Sequence, residues 1–288
     1  MKATIKTLAA AASLLLLPAA LVTSALAIEY DPIPEDDLLA QAQAANVVVQ
    51  IPPFIGSHLY IPNDGLSKHP GIITLHGADG GDTGYVDWRV AIPLAERGYT
   101  VLALDYYHTP GLPKKLAKIQ VELVFKALDW LKKSGLIHGK PGLYGESYGA
   151  MFALVVGAID RGKKFSSIGV LAAHATTWPG YDLATGLWAT DSKGQNLPAF
   201  TYLRKPIAMF KPIESWRFPG PILLVHGRKD RIWSYTESVT LQKEAKKRGK
   251  MNHTVLLLAG EGHVPGSSAG TETLRNRLAK HFRKPTKP

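Results

Sequence analysis

The stretch Gly145-Glu146-Ser147-Tyr148-Gly149 constrains this chain more than any other. It follows a short apolar run, Gly142-Leu143-Tyr144, and opens a segment over residues 150–159 that reads as a helix. A Gly-x-Ser-x-Gly set between a strand and a helix reads as a nucleophile elbow. The turn forces its middle residue into a strained backbone conformation. Side chains two positions before and two after would collide there, so glycine stands at both. The serine hydroxyl is then lifted clear of the sheet, at the positive end of the following helix. Alone, the motif also fits a Gly-rich surface turn. The decision rests on whether the chain alternates strand and helix and supplies partners for the serine at matching places.

It does alternate. Residues 46–51 and 57–61 read as short strands, the first supported by Val47-Val48-Val49. Residues 71–76 read as a buried strand, 85–97 as a helix stopped by Gly98, and 100–105 as another strand. Pro93 predicts a kink in that helix. A long amphipathic helix is expected over 113–134, with Leu116, Ile119, Leu123, Ala127, Leu128 and Leu131 on one face. Beyond the elbow, strands are expected at 167–172, 221–226 and 253–258, and helices at 235–248 and 271–282. Near-continuous apolar strands alternating with helices predict an α/β domain, a mostly parallel central sheet with helices on both faces. The domain spans 46–288, preceded by a loose acidic lead-in over 28–45. About 173–218 lacks a period and carries Trp178, Tyr181, Trp188, Phe200, Tyr202, Phe210 and Trp216. It reads as an aromatic-rich cap over an acyl pocket, too aromatic for disorder.

The first 27 residues stand apart. Lys2 and Lys6 precede an apolar run interrupted by Pro18, and Ala25-Leu26-Ala27 supplies small residues for cleavage. This reads as a secretory signal cleaved after Ala27, for a periplasmic or secreted protein. The run is short for a spanning helix, and no other segment is long and apolar enough to cross a bilayer. The chain has no cysteine, which excludes disulfides and lipoprotein attachment; a domain of about 260 residues builds a sufficient core without them. The formal charge of +11 falls to about +9 without the two leader lysines. Basic residues are scattered apart from 243–250 and 275–287, which disfavours nucleic acid as a partner.

A serine nucleophile needs a base, and the base needs an orienting group. In a parallel α/β sheet both belong on loops past the carboxyl ends of strands. Asp230 follows the strand at 221–226, and His263 follows the strand at 253–258. His174 is the best substitute base and His108 a weaker one, while His76 and His226 precede glycines and are expected to pack or bond locally. The oxyanion is expected to meet two backbone N–H groups, of Tyr148 after the nucleophile and of Ala78 in the loop His76-Gly77-Ala78-Asp79-Gly80-Gly81. Trp178, Trp188 and Trp233 are expected to line the substrate pocket. No histidine pair or His/carboxylate cluster has metal-ligand spacing, so neither a metal nor an organic cofactor is expected.

The elbow, the His76-Gly77 loop, His226-Gly227-x-x-Asp230, Gly262-His263 and the chain order Ser, Asp, His together resemble the α/β-hydrolase superfamily. Residues 95–158 are most similar to its dienelactone-hydrolase-like branch, especially the catalytic domain of the acyl-CoA thioesterase and bile-acid-CoA acyltransferase family. The similarity rests on Leu104-Asp105-Tyr106-Tyr107, Gly111-Leu112-Pro113, the run from Ala127 to Leu131 and the elbow. The resemblance implies Ser147, Asp230 and His263 as nucleophile, acid and base. Dienelactone hydrolases carry cysteine at the nucleophile; serine here suits oxygen esters. The expected activity is a serine carboxylic ester hydrolase acting on a small-molecule or lipid-like ester through an acyl-enzyme. The rivals are an acyl thioesterase, a serine peptidase and a non-catalytic binding protein of the same fold.

Overall fold

The computed structural model describes residues 31–283, so the leader expected over 1–27 lies outside the described residues. An eight-stranded sheet forms the frame. In chain order its strands are β1 (Val47–Gln50), β2 (His58–Pro62), β3 (His69–Leu75), β4 (Thr100–Leu104), β6 (Ile137–Glu146), β7 (Ser167–Leu171), β12 (Ile222–Gly227) and β13 (His253–Leu258). Their spatial order is β1-β2-β4-β3-β6-β7-β12-β13. β2 pairs antiparallel with β1 and β4; every later pairing is parallel.

Alternate side chains feed two separate cores. Leu102 and Leu104 of β4 and Ile222 and Leu224 of β12 face one; Val101, Ala103, Leu223 and Val225 face the other. The first core is closed by α3 (Glu122–Lys133), α4 (Tyr148–Asp160) and α5 (Thr236–Lys247). The second is closed by α1 (Glu35–Ala44), α2 (Ile92–Glu96) and α6 (Ser268–Phe282). Two apolar faces per strand explain why these strands are apolar throughout rather than alternating.

Three local expectations change. The lead-in is not loose, because Glu35–Ala44 is helical with Leu38 and Ala42 buried and three acids in its first turn, where the helix dipole favours them. The helix expected over 85–97 splits into a π turn, Asp87–Ala91, and α2. Pro93 has no N–H for the carbonyl of Arg89; Arg275 Nε donates to that oxygen instead, at 2.8 Å. The helix expected from 113 begins only at Glu122. Leu116 and Ile119, three residues apart, imitate a helical face, but Leu116 N donates to Tyr181 O at 2.8 Å and Ile119 N to Ala199 O at 2.9 Å. Ile119–Gln120 is the short strand β5, paired with the cap.

The cap is built of short pairs rather than free loop: β8 (Tyr181–Asp182) with β9 (Leu187–Trp188), and β10 (Phe200–Tyr202) with β11 (Lys205–Pro206). It lies along α4, whose first ten residues are buried. Phe152 stacks on Phe200 with centroids 4.5 Å apart, and Tyr148 Oη donates to Pro179 O at 3.1 Å. An apolar helix buried all round is what a cap over a sheet requires.

The elbow also explains its own glycines. A Cβ on Gly145 would lie 2.1 Å from Gly149 O, and one on Gly149 2.4 and 2.3 Å from the carbonyl oxygens of Leu75 and His76. Those neighbours are backbone and cannot swing away. Gly149→Ala is expected to destabilise the protein by about 3 kcal/mol or more. Urea unfolding measures it; a loss below the error of the method would mean that α4 can shift on β3.

Candidate active site

Ser147 sits between β6 and α4 with φ 53° and ψ −118°, a strained conformation for a residue with a side chain. Its N–H donates to Leu171 O at 2.9 Å, which ties the turn to the neighbouring strand. Gly77 lies against it, since a Cβ there would come within 3.3 Å of Ser147 Cβ.

Asp230 and His263 approach from the loops after β12 and β13. Ser147 Oγ lies 2.9 Å from His263 Nε2, and His263 Nδ1 lies 2.8 Å from Asp230 Oδ2. The acceptor at Asp230 places a proton on Nδ1 and leaves Nε2 to accept from the serine. The Asp230 side chain is fully buried. Burial alone would raise its carboxyl, but hydrogen bonds from His226, His263 and the backbone outweigh burial and hold it well below the usual carboxylate range. Its Oδ1 accepts from the N–H groups of Ile232 at 2.8 Å and Trp233 at 3.0 Å.

Two further residues, His226 and Glu261, hold this arrangement in place. His226 Nε2 lies 2.9 Å from both Asp230 Oδ2 and Trp233 O, so it donates there, while its Nδ1 accepts from Ser238 Oγ at 2.9 Å. It is a second imidazole on the same carboxylate, a role hidden by its place at a strand end. Glu261 secures the histidine loop by accepting from Gly266 N at 2.8 Å and from Ser267 Oγ. The two loops also touch: Lys229 N donates to Glu261 O at 2.8 Å, and Gly227 packs on Gly262 so tightly that a Cβ would lie 1.9 Å from its carbonyl oxygen.

The other histidines are engaged elsewhere. His174 Nδ1 accepts from Trp178 Nε1 at 3.1 Å, and its Nε2 faces Glu237 at 3.5 Å. His108 pairs with Asp82 at 3.0 Å. His76 stacks on Tyr106 at 4.0 Å, and burial lowers its pKa to about 4. Among the described residues, no group of three His, Cys, Asp or Glu side chains is arranged to hold a metal ion.

A cavity of about 60 Å3 opens on Ser147 and His263. Ala78 lines it, on a loop held by hydrogen bonds from Tyr107 Oη to Ala78 O and from Tyr106 Oη, at 2.5 Å, to His76 O. The apolar lining comes from Leu183 of the cap with Ile232 and Val264. Trp178, Trp188 and Trp233, expected from the sequence at the substrate, are not among the residues lining this cavity. The cap's aromatic rings bury against one another: Trp178 meets Trp188 at 6.1 Å and Trp233 at 5.6 Å, edge to face. Trp233 is a backing wall, 5.6 Å from the rings of both His263 and Tyr148.

One wall of the cavity is charged. Arg89 and Glu146 form a buried ion pair, and Asp79 lies beside them. Burial, reinforced by the Glu146 charge, pushes Asp79 up to about 6. A carboxyl raised in the folded state favours the protonated form there, so its ionisation opposes folding as pH climbs from the ordinary value to about 6. The stability of Asp79→Asn relative to the parent is therefore expected to improve from about pH 4 to about pH 6 and to level off above. Urea titrations across that range test it; a difference independent of pH would mean that Asp79 is not perturbed.

Strand order, elbow and the loops bearing Asp230 and His263 define an α/β-hydrolase. The chain belongs to the prolyl oligopeptidase family, which matches residues 85–285. It is 29% identical over 224 residues to a peroxisomal succinyl-coenzyme A thioesterase from Mus musculus, covering 71% of this chain and 51% of that protein. It is 27% identical over 221 residues to a bile acid-CoA:amino acid N-acyltransferase from Mus musculus, covering 72% and 51%. The chain thus spans about half the length of the curated relatives it matches. Among solved structures it is similar to Est1E from Butyrivibrio proteoclasticus, with a TM-score of 0.57 and 19% identity, covering 83% of this chain and 100% of that one.

Proposed function

We propose that this protein is a serine hydrolase of carboxylic esters that works through an acyl-enzyme. The observation that carries the reading is the relay from Ser147 Oγ through His263 to Asp230, with hydrogen-bond distances of 2.9 and 2.8 Å. His263 takes the serine proton as Oγ attacks the carbonyl, then returns it to the leaving alcohol. Asp230 holds the imidazole tautomer and stabilises its charged form. The N–H groups of Tyr148 and Ala78 are the proposed donors to the tetrahedral oxyanion. Water then repeats the sequence on the acyl-enzyme. The small cavity at the nucleophile, about 60 Å3, favours short acyl groups such as acetyl and propionyl.

The coenzyme A thioester in the name of the thioesterase relative favours a second reading, thioester hydrolysis by the same relay; the family name raises peptide hydrolysis in the same way. Purified protein assayed on p-nitrophenyl esters of rising chain length, on thioesters with matched acyl groups and on peptide anilides separates the three. Faster turnover of thioester or anilide than of the matched ester would replace the ester reading. We also propose export, on the basic, apolar and small-residue pattern of residues 1–27. Sequencing the amino terminus of the protein isolated from its native source should find Ile28 first.

A further inference from the structure

A second cavity among the described residues is larger than the one at Ser147. It measures about 710 Å3 and lies between the distal half of α4 and the β10–β11 hairpin, and it shares no lining residue with the cavity at the nucleophile. Its floor is Val155, Ala158 and Ile159, spaced i, i+3, i+4 on α4, with Ile213 and Ile207 beside them. These α4 residues stand roughly 12–18 Å beyond Ser147 at 1.5 Å rise per residue. The volume is within the roughly 300–1,000 Å3 usual for a small-molecule site.

The mouth is cationic and strained. Lys205 and Lys211 stand there, both exposed. Among the described residues neither has an acidic partner, whereas Glu214 is held by Arg217 at 2.7 Å and Arg248 by Glu244 at 2.9 Å. The hairpin turns through Leu203 and Arg204 with φ 49° and 62°. Such two-residue turns are normally Asn-Gly, and a leucine there is strained. Glu122 holds the turn by accepting from Leu203 N at 2.5 Å, and Leu203 remains 65% exposed at the cavity's edge. An apolar residue kept exposed in an unfavourable conformation, beside an apolar cavity and two unpaired lysines, is organised for a ligand rather than for packing.

We propose that this cavity binds one long-chain anionic amphiphile, with its hydrocarbon chain along Val155, Ile159 and Ile213 and its head group at Lys205 and Lys211. The occupant follows from shape and charge. A concave apolar slot accepts a single chain, and cations confined to its mouth select an anionic head. The inference does not depend on the hydrolase reading.

Calorimetric titration of the full-length mature protein with laurate, below its micellar concentration, tests the proposal. One-to-one saturable binding is expected. Dodecyltrimethylammonium, with the same chain length and opposite charge, and butyrate, with the same head and a short chain, should each bind at least about tenfold more weakly. Lys205→Glu/Lys211→Glu should weaken laurate by about tenfold or more, and Ala158→Trp should block it by filling the floor. Ser147→Ala should bind laurate like the parent, which separates this site from the acyl cavity. If Ala158→Trp fails to fold, the exposed lysine pair decides alone. Absence of laurate binding, equal affinity in the lysine variant, or loss of binding in Ser147→Ala would overturn the proposal. So would association with phosphatidylglycerol vesicles without binding of monomeric laurate, which would make this face a membrane contact.

Discussion

Ser147→Ala is expected to reduce kcat on any substrate of this protein by roughly a millionfold, to the level that binding and the oxyanion donors sustain without a nucleophile. The magnitude follows from how the relay is built. His263 Nε2 has Ser147 Oγ as its partner at 2.9 Å, and Asp230 fixes the other face of the ring. In the proposed acyl transfer, losing the hydroxyl removes the bond-forming atom and leaves the imidazole with nothing to deprotonate. The fold should be untouched, because alanine keeps the Cβ that the elbow already accommodates at φ 53°. The clean measurement is covalent labelling by a fluorophosphonate: parent labelled at Ser147, variant unlabelled, both with the same melting temperature. Labelling that persists in the variant would assign the nucleophile to another residue. A parent that is never labelled while well folded would favour a binding protein over an enzyme.

Arg89→Met is expected to destabilise the protein by about 3–5 kcal/mol. The Arg89 and Glu146 side chains are 7% and 5% exposed, and Tyr144 Oη donates to Glu146 at 3.0 Å. Without the guanidinium the buried Glu146 carboxyl loses its ion-pair partner, and Asp79 loses the cation that moderates its own shift. Glu146→Leu in the same background should restore much of the loss, since removing both charges leaves none stranded. Urea unfolding of the two single variants and the double variant gives the coupling directly. Strict additivity would mean that the pair does not interact in solution. Glu146 adjoins Ser147 in sequence and both members of the pair line its cavity, so Arg89→Met should lower turnover as well as stability.

The frame of the molecule was readable because its signals are local. Apolar strands, glycine stops and the elbow each declare themselves within a few residues, and the chain order of Ser147, Asp230 and His263 needed only the rule that loops past strand ends share one edge. The failures are where distant partners decide. Leu116 and Ile119 have helical spacing, yet their backbones pair with the cap at Tyr181 and Ala199, 65 and 80 residues away. Aromatic content says that a side chain is buried, not what it is buried against: Trp178 meets both Trp188 and Trp233 edge to face. His226 was legible as a locally bonded residue, but its bond to Asp230 depends on a loop that returns four positions later. The helix at Glu35–Ala44 was hidden by its charge, although three acids followed by Leu38 and Ala42 are an N-terminal signature.

Strand β13 is the last in the sheet, and the loops after β12 and β13 are joined by Lys229, Glu261, Gly227 and Gly262. Asp230 and His263 therefore ride on a common platform at one border of the molecule, while Ser147 is anchored in its middle. Fraying of that border withdraws both partners of the serine together. On warming, silence should come to the site before the centre of the sheet has melted.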